Sequence, residues 1–143
     1  MDARDPPRIV LFVCIENAAR SLIAEAIFNR DPPIGWRAES GVTRPAAAAD
    51  PRTARLLREA GVDPPDHPPR PVSADEVRKA ERLVTMGCLD DSSCPAFMRD
   101  RPVEDWGLPD PRRLDDAGFG QVIETIRSRV ERLQAELRSG SAS

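Results

Sequence analysis

The chain has 143 residues, 40% of them apolar, and its 21 basic against 24 acidic side chains leave a net charge of −3. Such a length implies one domain over 1–143, with flexible ends at 1–7 and 139–143, and the charge balance excludes the broad basic field of a nucleic-acid binder. No apolar run approaches the roughly 18 residues of a membrane span, and the charged N-terminus is unlike a signal peptide, so a cytoplasmic monomer away from any membrane is expected.

The apolar run Ile9 to Val13 has the β-branched content of a buried parallel strand, and it stops at Cys14. A short arc, Ile15, Glu16, Asn17, Ala18 and Ala19, then leads to Arg20 and Ser21, after which Ser21 to Asn29 reads as a helix. Backbone N–H groups in a loop feeding a helix N-terminus converge on one point, and the helix end adds partial positive charge there. Residues 14–20 therefore read as an anion cradle. A cysteine at its mouth should have its thiolate favoured and its pKa lowered from about 8.5. Arg20 supplies a planar fork suited to two oxygens of a tetrahedral oxyanion, and Ser21 can cap the helix or donate to the thiolate. The plainer reading of Cys14 is a small core residue at a strand end.

Further along, Asp31 to Ile34 reads as a turn, and Trp36, Ala38 and Val42 mark a second strand that Ser40 and Gly41 end. Asp50 and Pro51 open a helix over Thr53 to Ala60 that Gly61 stops. A proline-rich loop, Val62 to Val72, leads to Ser73, which with Glu76 forms the capping box of a helix over Ala74 to Ala80. Arg82 to Met86 reads as a third strand, followed by Gly87, Cys88 and, further on, Cys94. Those two thiols lie close enough in sequence to reach each other, and either can reach a cysteine ending a neighbouring parallel strand. A short fourth strand is expected around Val103 and Trp106, and Asp115 caps a final helix from Ala117 to Leu137 with Phe119, Val122, Ile126, Val130, Leu133 and Leu137 on one stripe. The three cysteines are too few for a disulfide scaffold and point to reactive chemistry in a reducing compartment. A zinc site from Cys14, Cys88, Cys94 and His67 has cysteines spaced more widely than a structural-zinc pair, and no metal is expected.

Cysteine, five residues, arginine and serine after a first strand near the N-terminus resembles the phosphate-binding loop of the low-molecular-weight protein tyrosine phosphatases and of the arsenate reductases that share their fold. The resemblance runs from Ile9 to about Leu137. Asn17 matches the family's loop asparagine, whereas Glu16 stands where the family usually has glycine. Glu39 to Thr43 resembles its serine-glycine-threonine segment, and Asp105-Trp106-Gly107-Leu108-Pro109-Asp110-Pro111 resembles its acidic loop.

That resemblance implies an α/β fold of three layers, a four-stranded parallel sheet in the order 2-1-3-4 flanked by helices. It implies Cys14 as nucleophile, Arg20 and the backbone of residues 14–20 as oxyanion binders, Ser21 as donor to the thiolate, and Asp110 as general acid. Asn17, Ser40 and Asp105 would support these groups from behind, although Ser40 and Gly41 also read simply as a turn. A phosphatase of this fold leaves Cys88 and Cys94 idle; an arsenate reductase uses them, passing a disulfide from Cys14–Cys88 to Cys88–Cys94 and on to thioredoxin. The reductases of the family place the second cysteine directly after the methionine ending the third strand, where this chain has Gly87. The phosphatases carry a tyrosine after the aspartate-proline pair, where this chain has Arg112, and it contains no tyrosine at all. The expected function is therefore reduction of arsenate, with phosphate or sulfate as competing oxyanions, no bound cofactor, and electrons from thioredoxin, a low-molecular-weight thiol or a glutaredoxin-like protein. A phosphatase of tyrosine or small phosphoesters, and a non-catalytic oxyanion or redox sensor, are the alternatives.

Overall fold

A computed structural model describes residues 6–14, 19–43, 51–87, 102–109, 111 and 114–140. Four parallel strands, β1 (Arg8–Cys14), β2 (Trp36–Val42), β3 (Arg82–Thr85) and β4 (Glu104–Asp105), form one sheet in the order β2-β1-β3-β4. The helices are α1 (Ala19–Arg30), α2 (Pro51–Glu59), α3 (Ala74–Lys79) and α4 (Asp116–Gly140). Among the described residues no helix is long and apolar enough to cross a membrane.

β1 is central, which explains its continuous apolar run: alternate residues face two separate cores. Val10, Phe12 and Cys14 point into the larger core with Val84 and Met86, against α1 and α4. Leu11 and Val13 join Leu83, Val77 and Ala80 on the α3 side. Phe12, fully buried, meets Phe28 edge-on at 6.3 Å and Trp106 at 5.6 Å, which ties β1 to α1 and to the segment after β4.

α4 presents the expected stripe, Phe119, Val122, Ile126, Val130, Leu133 and Leu137, all buried, and runs on past Leu137 to Gly140. Its start is capped as expected, with Asp115 Oδ1 accepting from the Gly118 N–H at 2.8 Å. Gln134 adds a polar tie, its Nε2 donating to the Phe28 and Asp31 carbonyls at 3.1 and 3.0 Å and so satisfying the C-terminal end of α1. The Ser73/Glu76 capping box forms with both bonds at 3.1 Å.

Helix ends shift by up to three residues from the sequence reading, with α1 starting at Ala19 and α2 at Pro51, and β3 ends at Thr85. The boundaries of β2 and β4 differ in ways that bear on packing. β2 does not end at Ser40 and Gly41 but continues through Val42, with Gly41 in register beside Val13. The glycine serves packing there, since a Cβ would lie 3.0 Å from the Val72 Cβ. The fourth strand is shorter than the apolar residues suggest, because Val103 and Trp106 flank its paired residues, Glu104 and Asp105.

β2 is an edge strand, and at three positions its outward backbone groups are occupied. The Asn29 side-chain amide donates to the Ala38 carbonyl at 3.0 Å and accepts from its N–H at 2.9 Å. Arg70 Nε donates to the Ser40 carbonyl at 3.3 Å. Val42 exchanges bonds with the 70–72 segment, at 3.0 Å to the Arg70 carbonyl and 2.9 Å from the Val72 N–H.

Candidate active site

Parallel strands deliver their C-terminal loops to one end of the sheet, and here β1 and β3 are direct neighbours: Val13 pairs with Thr85, and the Met86 N–H donates to the Val13 carbonyl at 3.0 Å. Cys14 is the last residue of β1 and is buried, with 2% of its surface exposed. Its Sγ accepts the backbone N–H of Ser21 at 3.0 Å, a bond that favours the thiolate over the thiol. Ser21 is in the first turn of α1 and itself buried, so the sulfur faces the positive end of that helix. Ala19, fully buried, starts the helix.

Arg20 is unusual for a first-turn arginine in being 8% exposed. One of its terminal nitrogens, Nη1, donates to two carbonyls, Met86 at 2.7 Å and Leu108 at 2.5 Å. Its Nε is buried and has no hydrogen-bond partner among the described residues. A buried cationic donor without an acceptor is costly, and an oxyanion beside Cys14 would satisfy it. Gly87 lies against the same guanidinium: its φ of +139° belongs to glycine, and a Cβ there would lie 3.4 Å from Nη1.

The segment beyond β4 approaches from the other side. Asp105 Oδ1 accepts from the Gly107 N–H at 3.0 Å, shaping the turn that presents the Leu108 carbonyl to Arg20. Trp106 is a core residue, 5% exposed, with Nε1 donating to Glu104 at 2.6 Å. Ile15, Glu16, Asn17, Ala18, Cys88, Cys94 and Asp110 lie outside the described residues.

The Ser40 hydroxyl donates to Glu25 Oε1 at 2.6 Å. Glu25 stands one turn beyond Ser21 on α1, is 6% exposed, and its other oxygen meets His67 Nε2 at 2.7 Å. The His67 Nδ1 lies 2.9 Å from the Pro68 carbonyl, so both ring nitrogens face acceptors and only the imidazolium can donate to both. Burial works to lower the pKa of His67, and Arg70 opposes the cation too, but the Pro68 carbonyl and Glu25 outweigh them and raise it above the ordinary 6.5. This Ser40–Glu25–His67 array, buried at Ser40 and Glu25 and part-exposed at His67, was missed in the sequence. Its one local signal is a glutamate inside the otherwise apolar stretch from Leu22 to Phe28. Among the described residues, no cluster of histidine, cysteine and carboxylate side chains is arranged to hold a metal.

Comparison with known proteins agrees with this geometry. The arsenate reductase from Archaeoglobus fulgidus superposes with a TM-score of 0.72 at 36% identity, over 88% of this chain and 98% of that one. A thioredoxin-dependent arsenate reductase from Corynebacterium glutamicum superposes with a TM-score of 0.77 at 30% identity, over 96% of this chain and 65% of that one. An arsenate reductase from Brevibacillus brevis is 27% identical over 87% of this chain and 92% of its own length. The sequence profile of the low molecular weight phosphotyrosine protein phosphatases matches residues 9–142. The chain therefore belongs to the low molecular weight phosphotyrosine protein phosphatase family and is related to its arsenate reductases.

Proposed function

We propose that this protein reduces arsenate to arsenite. The Cys14 thiolate attacks arsenic, forming an S–As bond, while Asp110 gives a proton to a departing oxygen, which leaves as water. Cys88 then attacks the Cys14 sulfur. The S–As electron pair passes to arsenic, taking it from the +5 to the +3 state, and arsenite leaves as the Cys14–Cys88 disulfide forms. Cys94 attacks Cys88 to form the Cys88–Cys94 disulfide and return Cys14 to the thiolate, and thioredoxin or a low-molecular-weight thiol reduces that disulfide. The need for reduced thiols fits a cytoplasmic setting.

The observation that carries this reading is the adjacency of β1 and β3. The chain that reaches Cys88 leaves the sheet one strand away from Cys14, with the Met86 N–H bonded to Val13. The Ser21 N–H on Cys14 Sγ and the buried Arg20 Nε, which has no partner among the described residues, support oxyanion attack, and the thioredoxin dependence of the Corynebacterium relative supports the choice of reductant. Hydrolysis of phosphate monoesters is the second reading, favoured by the family profile itself, because the same thiolate and arginine suit phosphate.

The test is arsenite production with thioredoxin, thioredoxin reductase and NADPH, in wild type and in Cys14→Ser, Cys88→Ser and Cys94→Ser. Loss of turnover in all three supports the relay. Turnover that needs Cys14 alone moves the second attack to an external thiol. Absence of arsenite with every donor, beside brisk hydrolysis of an aryl phosphate, overturns reduction in favour of the phosphatase.

A further inference from the structure

Arg52 lies in the first turn of α2, remote in sequence from every residue given a role above. Its Nη1 donates to the Leu114 carbonyl at 2.7 Å and its Nη2 to the Pro111 carbonyl at 3.4 Å. The guanidinium stacks 4.9 Å from the centroid of the fully buried Phe119 ring, and Asp116 Oδ1 stands 3.7 Å from Nη1. Arg55 holds the same aspartate at 2.9 Å. With its side chain 24% exposed, Arg52 is a fork laid on the core surface, its orientation fixed by a ring below and a carboxylate beside it.

What it grips matters more than how tightly. The Leu114 N–H donates to the Pro111 carbonyl at 3.0 Å, closing a turn, and Arg52 reaches the carbonyls of both residues of that turn. Arg20 holds the Leu108 carbonyl from the other side. Between Leu108 and Pro111 the sequence is Pro109-Asp110, and a proline, here at 109 and again at 111, restricts the backbone of the residue before it as well as its own. Two arginines from two different helices thus hold Leu108 on one side in sequence, and Pro111 and Leu114 on the other, of the one aspartate that the proposed reaction uses as an acid.

We propose that Arg52 is a positioning residue that sets the backbone on the C-terminal side of Asp110 and so determines how well that carboxyl reaches the departing oxygen. This rests on the general-acid role given to Asp110 above. A lysine in its place would keep the charge but cannot span two carbonyls with a planar fork.

The experiment is a single turnover of the fully reduced chain over a range of arsenate concentrations up to saturation, following arsenite, in wild type, Arg52→Met, Arg52→Lys, Asp110→Asn and the Arg52→Met/Asp110→Asn and Arg52→Lys/Asp110→Asn pairs. Arg52→Met keeps an unbranched stem on Phe119 and removes the fork. Loss of alignment lowers its rate about tenfold, within the range that small misplacements cost, while the apparent KM for arsenate changes less than about twofold. Arg52→Lys falls between the two. In the Asp110→Asn background the same substitution lowers the rate by less than about twofold, because the group it aligned is gone. An equal loss in both backgrounds, or no loss in wild type, overturns the positioning role. An unchanged rate in Asp110→Asn alone instead overturns the general-acid reading, which separates the two failures. If Arg52→Met does not fold, as judged by circular dichroism, the Arg52→Lys pair carries the same comparison.

Discussion

Replacing His67 with alanine tests the array behind α1 most directly. Glu25 Oε2 then loses a donor at 2.7 Å while its other oxygen keeps Ser40 at 2.6 Å. A charge-assisted hydrogen bond to a buried group contributes about 1.5–3 kcal/mol, and because the His67 side chain is 26% exposed, water replaces part of it, leaving about 1–2 kcal/mol. For a chain of this size that lowers Tm by about 3–6 °C. The effect depends on pH. The folded-state pKa of His67 stands above its unfolded value, so the folded protein holds the proton more firmly. The ionic contribution is complete below pH 6.5 and is lost as pH rises through the raised folded value, leaving a neutral hydrogen bond of about 0.5–1 kcal/mol. Thermal unfolding followed by circular dichroism at pH 5.5 and at pH 9, for wild type and variant, reads this directly. A Tm difference that is the same at both values, or larger at the alkaline one, refutes the ion pair as its source.

Two further outcomes rest on the packing. Gly87→Ala forces a φ of +139° on a residue that resists it, costing about 1–3 kcal/mol in urea unfolding, and by disturbing the Met86 carbonyl at Arg20 it raises the KM for arsenate; an unchanged KM would mean that Arg20 does not depend on this grip. Ile126→Ala, at a fully buried position on α4, costs about 2–5 kcal/mol by urea unfolding, and a loss under about 1 kcal/mol would show that the helix does not close the main core.

The fold was legible where burial follows a local period. The Ile9–Val13 run, the stripe of the last helix and the Ser73/Glu76 box each specify an element from residues close in sequence, and the order 2-1-3-4 came with the family resemblance. Cys14, Arg20 and Ser21 could be read together because they lie close in sequence, at the end of β1 and in the first turn of α1. The contacts that were not legible join residues far apart: Glu25 with His67, Arg52 with Pro111 and Leu114, Arg20 with Leu108. α1 shows why. Every residue from Ala19 to Phe28 is buried, so Glu25 has no polar face to belong to, and nothing local says which residue will neutralise it. His67, set among prolines, reads as an exposed loop residue until the loop is brought back over the helix.

The way β2 is bordered bears on how the protein behaves when it is concentrated. An unfinished sheet edge is a template on which a second chain can add a strand. Here the template is already written over at three positions: the Asn29 amide imitates a neighbouring peptide at Ala38, Arg70 covers Ser40, and the 70–72 segment takes Val42. At the opposite margin the paired stretch among the described residues is Glu104–Asp105, too short to serve as a long template and carrying charged side chains, with Glu104 held by Arg82 at 3.0 Å. The sheet thus blunts both margins with its own side chains and charges, without closing into a barrel, and leaves its strand ends free for chemistry.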